Sequence, residues 1–293
     1  MSPIRLTRTF DSNHADDVRA QTEPEIDSVF AAMDEHPGHT PWRVIHTDCF
    51  TPDVFLARLA LDNFEERPVT IQMALQGDLT DRGAAIDLRP VAGDADWNAL
   101  LQLVLADHAE GRRTNDLDLS PEFSAAKGAG YRAKSGAYHF HLAVRDGIPV
   151  AYGAHAAAPN GAGMIEDLFT LQSARCRCIA TAMIAAFTDR LRGAGCRTIF
   201  LGAFGSEQPK HLFARLGFHP VMLARAWVRE LPNKGRAVGA PPKSRPPPMA
   251  ACPCCLGVKQ SREWIFAATV ARHKCVPIPI RCRKTRNGWA PAR

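Results

Sequence analysis

Two carboxylates and a short basic turn lie within a dozen residues of one another. Glu166 and Asp167 sit in the middle of an apolar run from Met164 to Leu171. Arg175-Cys176-Arg177-Cys178 follows, and Ile179-Ala180-Thr181 opens an Ala-rich apolar segment that reaches about Leu191. The run reads as a strand, the basic stretch as a tight turn, and the Ala-rich segment as a helix. The first N–H groups of a helix have no intrahelical partner, and the helix dipole favours negative charge there. A strand that feeds a basic turn into a helix start is therefore a place for an anion, most naturally a phosphate or pyrophosphate. Strand alternation puts Glu166 and Asp167 on opposite faces, so only one of them is expected to face a cleft.

The elements that must hold this stretch are legible on both sides of it. Upstream, Asp146-Gly147 joins two strands, Tyr138–Arg145 and Ile148–Ala156, as a hairpin, and Asn160-Gly161 turns the chain into the carboxylate strand. Before them come a short strand from Ile86, a helix from Asp94 to His108, and a second helix opened by Ser120-Pro121. Downstream, Cys196–Ala203 reads as a strand, Glu207–Leu216 as a helix closed by Gly217, and Val221–Glu230 as a last strand. The order predicts an α/β (α+β) fold with a mixed sheet and helices packed on it.

The first 80 residues repeat part of this pattern. Trp42–Phe50 aligns with Cys196–Phe204, and Ala57-Arg58-Leu59 aligns with Ala214-Arg215-Leu216. A helix precedes each copy, and a Pro-containing turn with an apolar strand follows. The segment reads as a degenerate copy of the second half of the later domain, without its basic turn. Three parts are expected: a degenerate N-terminal unit over 1–80, a domain over 84–231, and a tail over 232–293.

Composition separates the tail. Between Pro232 and Arg293 there are thirteen Lys/Arg and one acidic residue, a net +12, whereas the whole 293-residue chain carries +6. The tail is rich in Pro and Cys, lacks a sustained period, and is expected to be disordered. Nine cysteines in a chain with no signal-type N-terminus argue for free thiols and a cytoplasmic protein. No apolar run is long enough for a membrane span. Cysteine spacing in the tail fits no standard zinc pattern, and His139, His141 and His155 read as packing or cleft-lining groups, so no metal is expected.

Two motifs, in order and in the expected strand–helix context, resemble the GNAT-superfamily N-acetyltransferases. The family's R/Q-x-x-G-x-G/A turn reads Arg175-Cys176-Arg177-Cys178-Ile179-Ala180, and its late L-Y-x-x-x-G-F helix reads Leu212-Phe213-Ala214-Arg215-Leu216-Gly217-Phe218. The resemblance covers about half the chain, from Ile86 to Leu231. It implies a GNAT-like fold preceded by the half-GNAT-like unit, acetyl-CoA as co-substrate, and a primary amine of a small molecule or peptide as acceptor. It further implies that Arg175, Cys176, Arg177, Cys178, Ile179, Ala180 and Thr181 meet the CoA pyrophosphate. Leu168, Phe169 and Thr170 would meet the pantetheine arm, Phe213 would lie beside the cofactor, and Glu166 would act as general base, directly or through water.

Two departures from the family pattern bear on activity. Cys178 stands where the first Gly of the turn is usual, so its side chain is expected to crowd the phosphate and weaken CoA binding. Phe213 stands where a Tyr often protonates the leaving thiolate. An inactive acyl-CoA-binding or sensor protein is therefore a second reading. Nucleic-acid binding rests only on the basic tail and is not expected of the body.

Overall fold

The computed structural model describes residues 14–35, 42–111, 121–230, 282–285 and 288–291. The first unit contains β1 (His14–Ala15), α1 (Glu23–Glu35), β2 (Trp42–Thr47), α2 (Asp53–Leu61), β3 (Glu65–Glu66) and β4 (Thr70–Leu75). The second contains β5 (Asp87–Pro90), α3 (Asp94–Gly111), α4 (Pro121–Lys134), β6 (His139–Arg145), β7 (Ile148–Ala157), β8 (Ala162–Thr170), α5 (Ile179–Gly193), β9 (Thr198–Phe204), α6 (Pro209–Arg215) and β10 (Phe218–Glu230). Beyond them, β11 (Cys282–Thr285) and β12 (Gly288–Pro291) pair as an antiparallel ribbon. The rest of the tail, whose disorder the composition predicts, lies outside the described residues. The fold is mixed α/β, as the element order predicts.

One ten-stranded sheet runs through both units in the order β1-β2-β10-β4-β9-β8-β7-β6-β5, with β3 also paired to β10. Only β1–β2 and β8–β9 are parallel, and each parallel pair is joined through a helix, α1 or α5. The internal echo in the sequence is thus an echo in topology. It also has a feature that alignment alone does not show. The slot between β9 and the first half of β10 is filled by β4 of the first unit. The slot between β2 and β3 is filled by the second half of β10, residues Arg225–Glu230. β4 is therefore inserted between strands that follow it by more than a hundred residues, and the end of β10 between strands of the first part of the chain. Met73 of β4 is buried in the same core as Leu201, Phe213 and Phe218.

Two apolar layers sandwich the second unit. α5 presents Ile179, Met183, Ile184, Phe187 and Leu191 to one face of the sheet, a stripe at helical spacing. Each such large side chain contributes about 1.5–3 kcal/mol on burial. On the other face, Leu100, Val104 and Tyr131 of α3 and α4 cover Phe140, Tyr152 and Phe169. A third cluster, with Ile26, Phe55 and Leu59, belongs to the first unit.

His141 and His155 fall in the first of these layers, and His139 is exposed beside them. His139 and His155 are cross-strand partners, and the His155 ring lies 5.1 Å from that of His139 and 5.3 Å from that of His141. His141 and His155 both rest on Phe187. They are packing groups of the α5 face. Among the described residues, no group of three or more His, Cys, Asp or Glu side chains is arranged to hold a metal ion. Among the same residues, no helix is long and apolar enough to cross a membrane.

Candidate active site

β8 leads through a single 3-10 turn, Gln172–Ala174, into the basic stretch. Cys176 and Cys178 both adopt left-handed backbone, with φ of 64° and 55°. For a residue with a Cβ this conformation costs roughly 1–2 kcal/mol, which is why glycine is usual in such a turn. The replacement has not shifted the turn out of its left-handed form. Cys178 is the N-cap of α5 and makes no side-chain cap hydrogen bond, so the opening of the helix keeps its donor character. In front of it lies a cavity of about 300 Å³, lined by Thr170, Cys176, Cys178, Ile179, Ala180 and Thr181 among others.

Most of the residues expected to meet a cofactor line this cavity, and some do not. Arg175 lines it, but its guanidinium is also braced: Nε donates to the Thr170 carbonyl at 3.1 Å and Nη2 to Glu110 Oε2 at 2.7 Å. Arg177 is exposed and lies outside the lining. Leu168 and Phe169 have their side chains in the two apolar layers, leaving their backbone to the cleft edge. Phe213 is fully buried, 6.4 Å ring to ring from Phe218, and its neighbours Leu212, Arg215 and Leu216 reach the cavity instead. Cys49, Cys178 and Cys196 are free thiols, but Cys176 is disulfide-bonded, which corrects the expectation of free thiols throughout.

Asp81, Leu212, Arg215 and Leu216 were not anticipated from the sequence. Asp81 belongs to the linker between the units. That linker is pinned across α5 and α6: Arg192 donates to Asp78 at 2.5 Å, Arg82 pairs with Asp189, and the Thr80 N–H donates to the Leu216 carbonyl at 3.3 Å. Gly83 packs so closely on α5 that a Cβ would sit 2.9 Å from the Ala182 nitrogen. The linker thus supplies part of the cavity wall, through Asp81.

Between β8 and β9 the sheet opens. The two strands pair only at Ala162–Met164 with Thr198–Phe200, and from Leu201 onward β9 continues against β4. Among the described residues, β9 pairs with β8 no further than Met164, and the cavity lies at the far end of β8. A strand running on past its neighbour into an uncapped helix start can offer backbone donors and acceptors to an extended ligand with an anionic end.

Residues 97–218 match the acetyltransferase (GNAT) family. The chain carries a GNAT-superfamily domain. Its fold is similar to that of a conserved protein of unknown function from Staphylococcus epidermidis ATCC 12228 (11% identity over 72% of this chain and 82% of that one, TM-score 0.54). It is also similar to a tandem GNAT protein from the clavulanic acid biosynthesis pathway (14% identity over 72% and 71%, TM-score 0.53). No curated protein matches the sequence. Acyl transfer is the chemistry of the family to which this domain belongs.

The GNAT domain corrects one expectation about its carboxylates. Tyr152 of β7 pairs with Phe169 and Ala154 with Glu166, so Gly153 alone faces both Asp167 and Leu168. This is a β-bulge, and Asp167 occupies it with φ of 53°. Asp tolerates left-handed backbone better than most residues. The extra residue cancels the alternation. Glu166, opposite Ala154, and Asp167 both lie on the α3/α4 side of the sheet rather than on opposite faces. Glu166 is half-buried and Asp167 is buried. Asp167 Oδ1 accepts a hydrogen bond from the Tyr131 hydroxyl at 2.6 Å, and Lys127 Nζ lies 3.9 Å away. Tyr152, beside Tyr131, donates to Asp107 Oδ2 at 3.1 Å. Burial and the charges of Asp107 and Asp167 push the Tyr152 hydroxyl well above the usual tyrosine range, so it stays protonated.

Proposed function

We propose that the chain is an N-acetyltransferase that moves an acetyl group from acetyl-CoA to a primary amine of a small molecule or peptide in the cytoplasm. The observation that carries this reading is the left-handed turn at the uncapped start of α5, opening on a cavity at the end of β8, beyond its pairing with β9. When bound, acetyl-CoA supplies the activated acyl group. The N–H groups of Ile179, Ala180 and Thr181, with Arg175, hold the pyrophosphate. The backbone of Leu168, Phe169 and Thr170 holds the pantetheine arm and polarises the thioester carbonyl. Glu166 takes the proton from the acceptor ammonium, directly or through water, and positioning supplies much of the remaining rate. The catalytic unit over 84–231 is completed by the unit over 1–80, and the tail over 232–293 is dispensable. With the Cys176 disulfide reduced, deleting residues 235–293 is expected to leave the melting temperature and turnover unchanged; a large fall in either would overturn that part.

Release of thiol from acetyl-CoA, followed over a panel of primary amines, tests the reading. Amine-dependent release supports it, and its absence with every amine rejects it. A second reading is favoured by Phe213, whose buried ring offers no proton to a leaving thiolate. Tight CoA binding by calorimetry without amine-dependent release would identify an acyl-CoA-binding protein instead.

Cys178→Gly separates two effects. The turn is already left-handed, so relief of strain adds equally to the free and the bound protein and appears only as stability, about 1 kcal/mol or less after the entropy cost of glycine. Any gain in CoA affinity must come from removing the side chain that lines the cavity. A several-fold tighter CoA dissociation constant is expected by isothermal titration; an unchanged one rejects crowding by Cys178.

A further inference from the structure

The lining of the cavity brings together the charged residues Asp81, Arg175 and Arg215. Arg175 is already engaged: Glu110 meets its charge at 2.7 Å, and the Thr170 carbonyl accepts from its Nε at 3.1 Å. The arginines that pin the linker are engaged as well, Arg82 with Asp189 and Arg192 with Asp78. Arg215 differs from all of these. Its side chain is exposed, and among the described residues its guanidinium has no hydrogen-bond or ion-pair partner. Its backbone, in contrast, is held: the Thr80 hydroxyl donates to the Arg215 carbonyl, and the Thr80 N–H donates to that of Leu216 at 3.3 Å. Phe213, buried in the α5-side core, fixes the roll of α6. Leu212 and Arg215, three positions apart on one side of that helix, are left to the cavity. Asp81 Oδ1 accepts from the Gly83 N–H at 2.9 Å, and among the described residues Asp81 forms no ion pair.

Resting on the proposed use of acetyl-CoA, we propose that Arg215 is the cation that holds a phosphate at the nucleotide end of CoA, and that Asp81 opposes it. These two residues, rather than Arg175, then set the charge that the cofactor meets. A guanidinium matches phosphate oxygens with parallel N–H donors, and one without a carboxylate partner brings its full charge to them. Arg175, paired to Glu110, adds donors there but little net charge. Asp81 places like charge in the same lining and weakens the hold on a phosphate. Because Asp81 belongs to the linker, the linker takes part in setting cofactor affinity. Both side chains are exposed, so each effect is modest and is screened by salt. The nucleotide end of CoA offers two such groups, a pyrophosphate and a 3′-phosphate, and the two share this chemistry.

The experiment titrates the full chain with CoA and with dephospho-CoA by calorimetry, each at low and at high salt. Arg215→Gln is expected to weaken CoA binding about tenfold at low salt and to flatten its salt dependence. Its melting temperature should stay near wild type, because the side chain has no partner to lose. Asp81→Asn, which keeps an acceptor for the Gly83 N–H, is expected to tighten CoA binding about threefold. A loss in Arg215→Gln that appears with CoA and not with dephospho-CoA assigns the arginine to the 3′-phosphate, and equal losses assign it to the pyrophosphate; either supports the inference. The inference is overturned if folded Arg215→Gln binds CoA as wild type does, if Asp81→Asn weakens CoA binding, or if wild type binds neither nucleotide. Absence of amine-dependent thiol release by wild type, with these binding differences intact, would count against acyl transfer and leave Arg215 as the phosphate ligand.

Discussion

Removal of residues 1–83 is expected to abolish cooperative folding of what remains. β9 and β10 are not neighbours; β4 lies between them, pairing Thr70–Ala74 with one and Thr70–Leu75 with the other. Without β4, both strands lose a ladder, and the core around Leu201, Phe213 and Phe218 loses buried Met73 and the adjoining Ile71 and Leu75. Residues Arg225–Glu230 lose β2 and β3 together. Unpaired buried backbone groups each cost about 1–3 kcal/mol, and a domain has only about 5–15 kcal/mol in reserve. The check is thermal unfolding of residues 84–293 alone and after co-expression with residues 1–83. The isolated piece should show no sigmoidal transition, and co-expression should restore one. A sharp transition with wild-type CoA affinity from the isolated piece would refute the dependence. Met73→Asp tests the same slot within the intact chain and should cost about 3 kcal/mol or more, because it buries an unpaired charge.

The second large effect is on acid stability. Burial, with Arg190 nearby, lowers the His141 imidazole to about 4, and burial, with His141 and His139 beside it, lowers His155 to about 3. Among the described residues, neither ring nitrogen of His155 has a hydrogen-bond partner. The groups facing the pair are His139 from β6, Arg190 and Phe187 from α5, and Ile165 across β7 from β8. In the unfolded chain these histidines accept protons near pH 6.5, whereas in the folded chain they resist until pH 4 or below. The unfolded state therefore binds more protons in that window. Stability is full above about pH 6.5 and falls as pH drops toward 4, by about 3 kcal/mol for the coupled pair. Denaturant midpoints at pH 7 and pH 4.5 should differ strongly in wild type and much less in His141→Phe/His155→Phe. Parallel losses in the two proteins would rule the pair out as the cause.

Much of this fold is readable from the sequence, because helices and hairpins write themselves locally. Asp146-Gly147 and Asn160-Gly161 mark their turns, and the stripe from Ile179 to Leu191 marks α5 and its buried face. The repeated pattern of Trp42–Phe50 and Cys196–Phe204 announces two related units. Features set by pairing between distant segments are not readable in this way. Nothing in Thr70–Leu75 states which strands flank it. The bulge at Asp167 is invisible because one extra residue changes the face without changing the composition, and a strict period of two then assigns the carboxylate to the wrong side. The brace between Arg175 and Glu110 joins residues far apart in the chain. Phe213 fits the motif by position, but its side chain follows the core rather than the cleft.

The reciprocal insertion of β4 and β10 also sets an order on the birth of the protein. β2 is made early and waits for Arg225–Glu230, some 180 positions later, before its edge is closed. β4 emerges with neither of its neighbours yet synthesised. Contacts of such separation slow folding, and open strand edges invite pairing with other chains. Translation of β10 is therefore the event that commits both units at once: until it is released, neither half of the sheet is whole.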